Sequence, residues 1–236
     1  MRPPLVLLHG FTQTRMSWRR TVAALGDRRR AVAPDLPGHG QAAARVPSFA
    51  ACAAYVRALG GERFALCGYS MGGRIALHAA LALPAHVERL VLVGASPGLA
   101  DPAEREARRA ADAALAERIE AIGIEAFARE WGAQPLFAGQ PERVAAAAHA
   151  DRLRNTPRGL AAALRGLGTG VMAPLWDRLG ELEMPVTLVV GERDEKFREI
   201  AERMAARLPD VRLEVVPGAG HAVQLERPDA VAALLG

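Results

Sequence analysis

Short apolar runs alternate with longer amphipathic patterns along most of this 236-residue chain. The apolar runs are rich in Val and Leu and are bounded by Gly or Pro; they are LVLL (5–8), RAVAP (30–34), RFALCG (63–68), RLVLVG (89–94), VTLVVG (186–191) and RLEVVPG (212–218). Such runs are typical of strands buried on both faces. Helical patterns such as FAACAAYVRAL and MGGRIALHAALAL separate them. The alternation predicts an α/β fold, with a parallel sheet and right-handed crossovers.

The alternation lapses between residues 100 and 182, where Ala, Arg and Glu recur with helical spacing and no strand pattern occurs. Helix-breaking residues divide this stretch at Gly123, Pro135, Pro141, Pro157 and Pro174. The chain length suits one substantial core rather than two. We therefore predict a core formed by residues 1–99 and 183–236, with a helical insertion at 100–182 that covers the strand ends as a lid.

Charge changes this picture little. The formal net charge is +4, and Lys196 is the only lysine, but the arginines are interleaved with acids, as in DPAEREARRAADAALAERIE. This pattern is typical of solvated helix faces and contains no basic stripe, so we expect no nucleic-acid partner. No apolar run is long enough for a membrane span or an export signal, which predicts a soluble, cytoplasmic protein. Cys52 and Cys67 have no metal-ligand or disulfide spacing, and we expect both to be buried.

The segment GYSMG fits the G-x-S-x-G pattern and lies between a predicted strand and a predicted helix. Gly68 and Gly72 allow a sharp turn that projects Ser70 above the sheet. A serine hydroxyl needs a base to react at neutral pH. His221 is the best placed of six histidines, because it follows the last predicted strand in the loop VPGAGHAV; His78, His86 and His149 suit structural or exposed positions.

The acid that orients the histidine should follow the penultimate strand, where VGERDEKF offers Glu192, Asp194 and Glu195. We predict Asp194, because it directly precedes the next helix, and expect the two glutamates to face solvent. The order Ser70, Asp194, His221 is that of the α/β-hydrolase arrangement. This order predicts the α/β-hydrolase fold and a catalytic triad.

An oxyanion site needs two converging backbone N–H groups. We predict that Met71, directly after the serine, supplies one, and that Phe11, in the loop HGFTQT after the first strand, supplies the other. His9 and His39 lie in Gly-rich turns, and we expect both to be structural.

Arg74 departs from a generic hydrolase. It lies four residues after Ser70, in the first turn of a helix, where the macrodipole disfavours a cation by roughly 0.3–1 kcal/mol. Four residues make about one turn, so Arg74 is able to share the side of Ser70 and bind a carboxylate substrate. The alternative is a salt bridge to an acid in a neighbouring loop.

Several segments together resemble the family of 2-succinyl-6-hydroxy-2,4-cyclohexadiene-1-carboxylate synthases, α/β-hydrolase-fold enzymes of menaquinone biosynthesis. The resemblance extends over nearly the whole chain and is carried by LLHGFTQTRMSW, GYSMGGRIALH, LVGASPGL, WGAQPLF, VGERDEKF and VPGAGHAV. It implies a lyase that eliminates pyruvate from 2-succinyl-5-enolpyruvyl-6-hydroxy-3-cyclohexene-1-carboxylate after abstraction of a ring proton. It also implies a small substrate with three carboxylates and no metal or organic cofactor.

The resemblance also implies roles for particular residues. Arg108 and Arg152 of the lid should contact the substrate, with Arg109 and Arg154 as adjacent alternatives. Trp131 and Tyr69 should line the pocket. In the implied mechanism, His221 polarises Ser70, and which of the two takes the proton first is left open, as is the oligomeric state.

Two other function classes compete with this reading. A hydrolase of the same fold, acting on an ester or a carbon–carbon bond, would share the triad, although buried arginines disfavour neutral esters. A non-catalytic binding protein would not need all three of Ser70, Asp194 and His221.

Overall fold

A computed structural model describes residues 3–236, in which six parallel strands form one sheet. The strands are β1 (Leu5–Leu8), β2 (Ala31–Val32), β3 (Phe64–Tyr69), β4 (Val87–Val93), β5 (Val186–Gly191) and β6 (Val211–Val216). Their order in the sheet is β2-β1-β3-β4-β5-β6. The chain reverses its direction of winding between β1 and β3, and ligands of open α/β sheets bind at the carboxyl ends of strands near such a point. The predicted α/β-hydrolase fold is confirmed.

Helices cover both faces of the sheet. They are α1 (Arg19–Leu25), α2 (Phe49–Gly60), α3 (Met71–Ala82), α4 (Pro102–Gly132), α5 (Glu142–Arg152), α6 (Pro157–Leu167), α7 (Glu195–Ala205), α8 (Val223–Glu226) and α9 (Pro228–Leu235). Several starts have recognisable caps: the Ser48 side chain accepts from the N–H of Ala51 at α2, and Asp101 accepts from two N–H groups at α4.

Two apolar cores lie on opposite faces of the sheet because successive strand residues point to opposite sides. Phe64 and Leu66 of β3 pack into the core beneath α2, α3 and α7. Ala65, Cys67 and Tyr69, the alternate residues, pack into the core beneath α1 and α9. Both faces of β3 are buried, as its continuous apolar run predicts.

The lid is the helical insertion α4 to α6 between β4 and β5. It has a small apolar cluster of its own, which includes Ile119, Phe127 and Leu160. After α6, however, Met172 and Trp176 belong to the main core. The predicted second boundary at 182 is thus later than the point at which the chain returns to the core.

Helix α4 is interrupted at Gly123, whose φ of 78° and ψ of 172° are not helical. A positive φ of this kind is accessible to glycine at little cost. The interruption divides α4 into an arm that carries Arg108 and an arm that carries Trp131.

Across residues 3–236, no helix combines the length and the apolar content that a membrane crossing requires.

Candidate active site

Ser70 lies on the sharp turn between β3 and α3, with a φ of 50° that is rare for a non-glycine residue. The turn is close-packed: a Cβ at Gly72 would lie 2.3 Å from the carbonyl oxygen of Leu8, and one at Gly68 would lie 2.2 Å from the carbonyl oxygen of Gly72. Only glycine fits at these two positions without moving backbone. The G-x-S-x-G pattern therefore has the steric meaning that its position between a strand and a helix predicts.

Ser70, His221 and Asp194 form one hydrogen-bonded chain. The Nε2 atom of His221 lies 3.2 Å from Ser70 Oγ, and its Nδ1 atom lies 2.6 Å from Asp194 Oδ2. His221 and Asp194 are both buried, and Asp194 is the residue just before α7. The competing acids Glu192 and Glu195 are exposed. The three side chains thus have the geometry that activates a hydroxyl group.

The predicted oxyanion donors lie beside Ser70. Phe11 follows β1 and Met71 begins α3, and both line the same cavity as Ser70 and His221. Among the described residues, the N–H of Phe11 has no acceptor, and Met71 is too early in α3 to donate to a preceding turn. Both N–H groups are thus available to an oxygen atom in the cavity.

His9 and His39 support the loop that carries Phe11. Each ring is completely buried; His9 Nε2 accepts from the N–H of Leu36 at 2.9 Å, and His39 Nε2 accepts from the N–H of Thr12 at 3.3 Å. Burial lowers the pKa of His9 to about 4 and that of His39 to about 3. The rings are therefore neutral acceptors, and the prediction that both are structural agrees with these contacts.

A cavity of about 420 Å³ opens in front of Ser70. Its described lining includes three cations, Arg74, Arg108 and Lys196, and no carboxylate. The rest of the lining is mainly apolar, with Trp131, Leu164 and Phe197 among its members. A site with this composition favours a small anionic ligand that also has apolar surface.

Arg74 points into this cavity, as its spacing from Ser70 predicts. Its Nη1 atom donates to the carbonyl oxygen of Leu167 at 2.9 Å, and no described carboxylate forms an ion pair with it. Burial, reinforced by the charge of Arg108, lowers the pKa of Arg74 to about 10. The alternative of a salt bridge to a loop acid is thus wrong.

The lid places Arg108, rather than Arg109, at the cavity. Arg108 Nε lies 2.7 Å from Asp112 Oδ1, while Arg109 pairs with Glu106 one turn earlier and lies outside the lining. Trp131 also lines the cavity, and its ring centroid lies 5.2 Å from that of Phe11.

Tyr69 and Arg152 lie behind the residues that line the cavity. The Tyr69 ring packs against Gly10 and lies 5.2 Å from the ring of His221. Arg152 is 5% exposed, and burial lowers its pKa. The neighbouring Arg154 is exposed and faces Asp151 instead. Contact of Tyr69 and Arg152 with substrate stays a prediction.

Two polar networks around the site have no counterpart in the sequence motifs. In the first, the lid holds the loop after β1: Asp151 accepts from the N–H of Thr14 at 2.9 Å and from its hydroxyl group. Asn155 donates to the carbonyl oxygen of Thr12 at 2.8 Å and accepts from the N–H of Gly40 at 3.0 Å. Thr12 and Thr14 follow Phe11 in the same loop, so these contacts with the lid hold the backbone next to the N–H of Phe11.

The second network holds the loop of His221. The buried carboxylate of Glu226 accepts from the N–H of Gly220 at 2.9 Å and from Arg193 at 2.8 Å. Arg193 also donates to the carbonyl oxygen of Gly139 in the lid at 2.9 Å. Arg193 thereby joins the lid to the residue that precedes His221.

Sequence reasoning also missed Lys196 as a cavity residue. A signal for it was present, because Lys196 is the only lysine and lies two positions after Asp194.

Comparisons with known proteins agree with this geometry. Residues 5–234 match the model of the Alpha/beta hydrolase family. The chain is 39% identical to the putative 2-succinyl-6-hydroxy-2,4-cyclohexadiene-1-carboxylate synthase of Bacillus subtilis, over 95% of this chain and 85% of the relative. It is 37% identical to the synthase of that name from Serratia proteamaculans, over 99% of this chain and 92% of the relative.

Two solved structures share the fold of this chain over nearly its whole length. The structure of MenH from S. aureus superposes with a TM-score of 0.93 at 32% identity, covering 99% of this chain and 91% of that chain. A thermophilic esterase from Thermogutta terrifontis has a TM-score of 0.84 at 29% identity, covering 99% and 88%.

Proposed function

Because this chain belongs to the 2-succinyl-6-hydroxy-2,4-cyclohexadiene-1-carboxylate synthase family of α/β hydrolases, we propose that Ser70, His221 and Asp194 perform the elimination that defines this family. The enzyme is a lyase of menaquinone biosynthesis. It removes pyruvate from 2-succinyl-5-enolpyruvyl-6-hydroxy-3-cyclohexene-1-carboxylate. The observation that carries the assignment of roles is the hydrogen-bonded chain of these three side chains at the edge of a cavity with three cations.

The reaction requires a base. The ring proton beside the succinyl carbonyl passes to Ser70 Oγ as the hydroxyl proton of Ser70 passes to Nε2 of His221. The 3.2 Å contact between these two atoms supports this transfer, and Asp194 at Nδ1 stabilises the imidazolium that results. No covalent acyl-enzyme is needed.

The electron pair left on the ring moves through the double bond and expels the enolpyruvyl oxygen. The ring double bond at position 3 is replaced by those at positions 2 and 4, and the released enol becomes pyruvate by protonation at carbon. Negative charge develops on the succinyl carbonyl oxygen during this step. The N–H groups of Phe11 and Met71 are the donors we propose for it, because both lie at the cavity beside Ser70.

The substrate carries three carboxylates, in its succinyl, enolpyruvyl and ring positions. We propose that Arg74 and Arg108 bind one of them, since both guanidinium groups face the same cavity. The guanidinium of Arg74 is desolvated by burial and has no ion-pair partner among the described residues, which favours an anionic ligand over a neutral one. This argues against a neutral ester as the main substrate.

Ester hydrolysis is the second candidate. It is favoured by the likeness to the Thermogutta terrifontis esterase and by the shared geometry of Ser70 and His221. The cations of the cavity favour the elimination over the hydrolysis of a neutral ester, because they suit an anionic substrate.

A steady-state assay of pyruvate release from the authentic substrate tests the proposal. We expect turnover by the wild type with one pyruvate for each diene formed. Rapid cleavage of neutral aryl esters without pyruvate release would instead assign the site to hydrolysis. A cytoplasmic location and the lack of a nucleic-acid partner stay predictions.

A further inference from the structure

Lys196 is an unassigned cation in the cavity. It is the only lysine of a chain with 30 basic residues, and it lines the same cavity as Ser70 and His221. It follows Asp194 by two positions and precedes Phe197, whose ring centroid lies 4.4 Å from that of His221. Its position is therefore tied to the reacting groups.

The ammonium group of Lys196 has no partner among the described residues. No carboxylate lies within ion-pair distance of it, although Glu195 and Glu199 are on the same helix, and no hydrogen bond involves it. The two other cations of the cavity do have partners, since Arg74 donates to Leu167 and Arg108 to Asp112. The exposed side chain of Lys196 is thus the cavity cation that no described residue engages.

The position of Lys196 in α7 is also electrostatically unfavourable. It is the second residue of the helix, where the macrodipole disfavours a cation. Phe197 and Ile200 provide apolar surface beside it in the cavity wall. An anion bound at this place would offset the unfavourable interaction of the cation with the helix dipole.

Lys196 and the two arginines belong to different walls of the cavity. Arg74 extends from α3 and donates to the last residue of α6, and Arg108 on α4 pairs with Asp112, so both guanidinium groups lie against the lid. Lys196 comes from α7, on the side of His221. The three carboxylates of the substrate lie at separate points around its ring. Arg74 and Arg108 together leave at least one of these carboxylates without a cation.

We propose that Lys196 binds a substrate carboxylate separate from the one held by Arg74 and Arg108, and is a specificity-determining residue of the reaction. The inference rests on the proposed function. A lysine suits this role because its compact charge pairs with a single carboxylate oxygen without needing the planar geometry of arginine.

The first test compares Lys196→Met with Lys196→Arg. We expect the methionine variant to raise KM for the authentic substrate about tenfold or more while kcat changes less than about threefold, because the contact is present before and during the reaction. Lys196→Arg should recover most of the loss. The control is Arg143→Gln, which removes an exposed positive charge on α5 outside the cavity and should leave KM unchanged.

A double variant tests whether the two carboxylates are separate. Groups that bind different parts of the substrate have effects that multiply, whereas groups that share one carboxylate do not. We expect the effect of Lys196→Met combined with Arg108→Gln on kcat/KM to equal the product of the single effects. A combined effect no larger than that of Arg108→Gln alone would overturn the separate site.

The single lysine also allows a direct measurement. Reductive methylation with ¹³C-formaldehyde labels only the Lys196 amine and the α-amino group, so the NMR spectrum should contain one side-chain resonance. We expect the diene product to shift this resonance, with the α-amino signal unchanged.

The outcomes separate this inference from the proposed function. A wild type that releases no pyruvate contradicts the proposed function. A wild type that releases pyruvate, with an unchanged KM in a folded Lys196→Met variant and an unshifted Lys196 resonance, contradicts only the role of Lys196.

Discussion

The carbonyl oxygen of Leu167 accepts a hydrogen bond from the Arg74 guanidinium at 2.9 Å, which links the last residue of α6 in the lid to the first turn of α3 in the core. Leu167 lies at the negative end of one helix dipole and Arg74 at the positive end of another. The contact offsets the unfavourable position of Arg74 and leaves the rest of its guanidinium for a carboxylate. The lid thus holds the side chain of a core residue in place at the cavity.

The first prediction concerns Arg74 itself. Arg74→Ala should lower kcat/KM for the authentic substrate roughly tenfold to a hundredfold, because a hydrogen bond to a charged group contributes roughly 1.5–3 kcal/mol. Arg74→Lys keeps the charge but loses the planar guanidinium that binds a carboxylate through two N–H groups, and should recover only part of the activity. Unchanged kinetics in both variants would exclude Arg74 from the site.

The second prediction concerns Ser70. Ser70→Ala removes the oxygen that we propose takes the ring proton, so turnover should fall on the order of 10³-fold or more. Substrate affinity, measured by calorimetry, should change little. A variant that keeps its turnover would contradict the role of Ser70 as a base and revive the interpretation of the chain as a binding protein.

The third prediction concerns acid stability. The pKa of His9 in the folded state is about 4 and that of His39 about 3, both below the ordinary value of 6.5. The unfolded chain therefore binds more protons between pH 6.5 and 4, and the free energy of unfolding should decrease as pH falls through that window. Between pH 7 and pH 5 each ring accounts for about 2 kcal/mol.

Urea unfolding at pH 7 and pH 5 measures this effect. His39→Gln keeps an acceptor for the N–H of Thr12 but cannot titrate, so it should lose less stability on acidification than the wild type. His86→Gln is the control, because the His86 ring donates to the carbonyl oxygen of Glu62, a bond that protonation leaves in place. If the wild type and His39→Gln lose the same free energy of unfolding between pH 7 and pH 5, the buried His39 ring is not a source of the acid sensitivity.

The fourth prediction concerns the contact between the lid and the Phe11 loop. Asn155→Ala leaves the carbonyl oxygen of Thr12 and the N–H of Gly40 without this partner, which should cost roughly 1–3 kcal/mol of stability. Turnover should also fall, because the loop that presents the N–H of Phe11 loses its support. The exposed neighbour Arg154 provides the control, and Arg154→Ala should change both quantities little.

The fifth prediction compares two ion pairs. Arg193→Ala removes a cation and hydrogen-bond donor from the buried carboxylate of Glu226, and because the Arg193 side chain itself is 41% exposed, the loss should be roughly 1–3 kcal/mol. Arg178→Ala breaks the pair with Glu181, in which both side chains are about half exposed, and should leave the unfolding temperature almost unchanged. Thermal unfolding of the two variants measures the difference, and equal losses would show that the Glu226 network does not stabilise the fold.

Much of the fold follows from local pattern. The predicted bounds of β1 and β5 match the structure, because continuous apolar runs closed by turn residues leave little choice. The run at 30–34 yields only Ala31–Val32, a short strand at the sheet edge, where one side lacks a partner. The last run ends at Val216 rather than at 218, since Gly218 has a φ of 62°.

The site was predictable where topology brings strand ends together. Ser70, Asp194 and His221 each follow a parallel strand, and such strands end at one edge of the sheet. The resemblance implied that Tyr69 lines the pocket, but along β3 it lies on the same side as Ala65 and Cys67, and its ring lies in the core beneath α1 and α9.

Contacts between distant segments had no such signal. Thr14 and Asp151 are 137 residues apart, and nothing in either neighbourhood indicates that they meet. The same holds for Arg193 and Gly139, because lid loops pack against the core through tertiary geometry alone.

The interruption of α4 at Gly123 makes two helical arms out of what is otherwise one 31-residue element. Arg108 lies on the first arm and Trp131 on the second, and both line the cavity. The backbone angle at Gly123 therefore sets how this cation and this indole ring are placed relative to each other, although Gly123 itself is not among the residues that line the cavity.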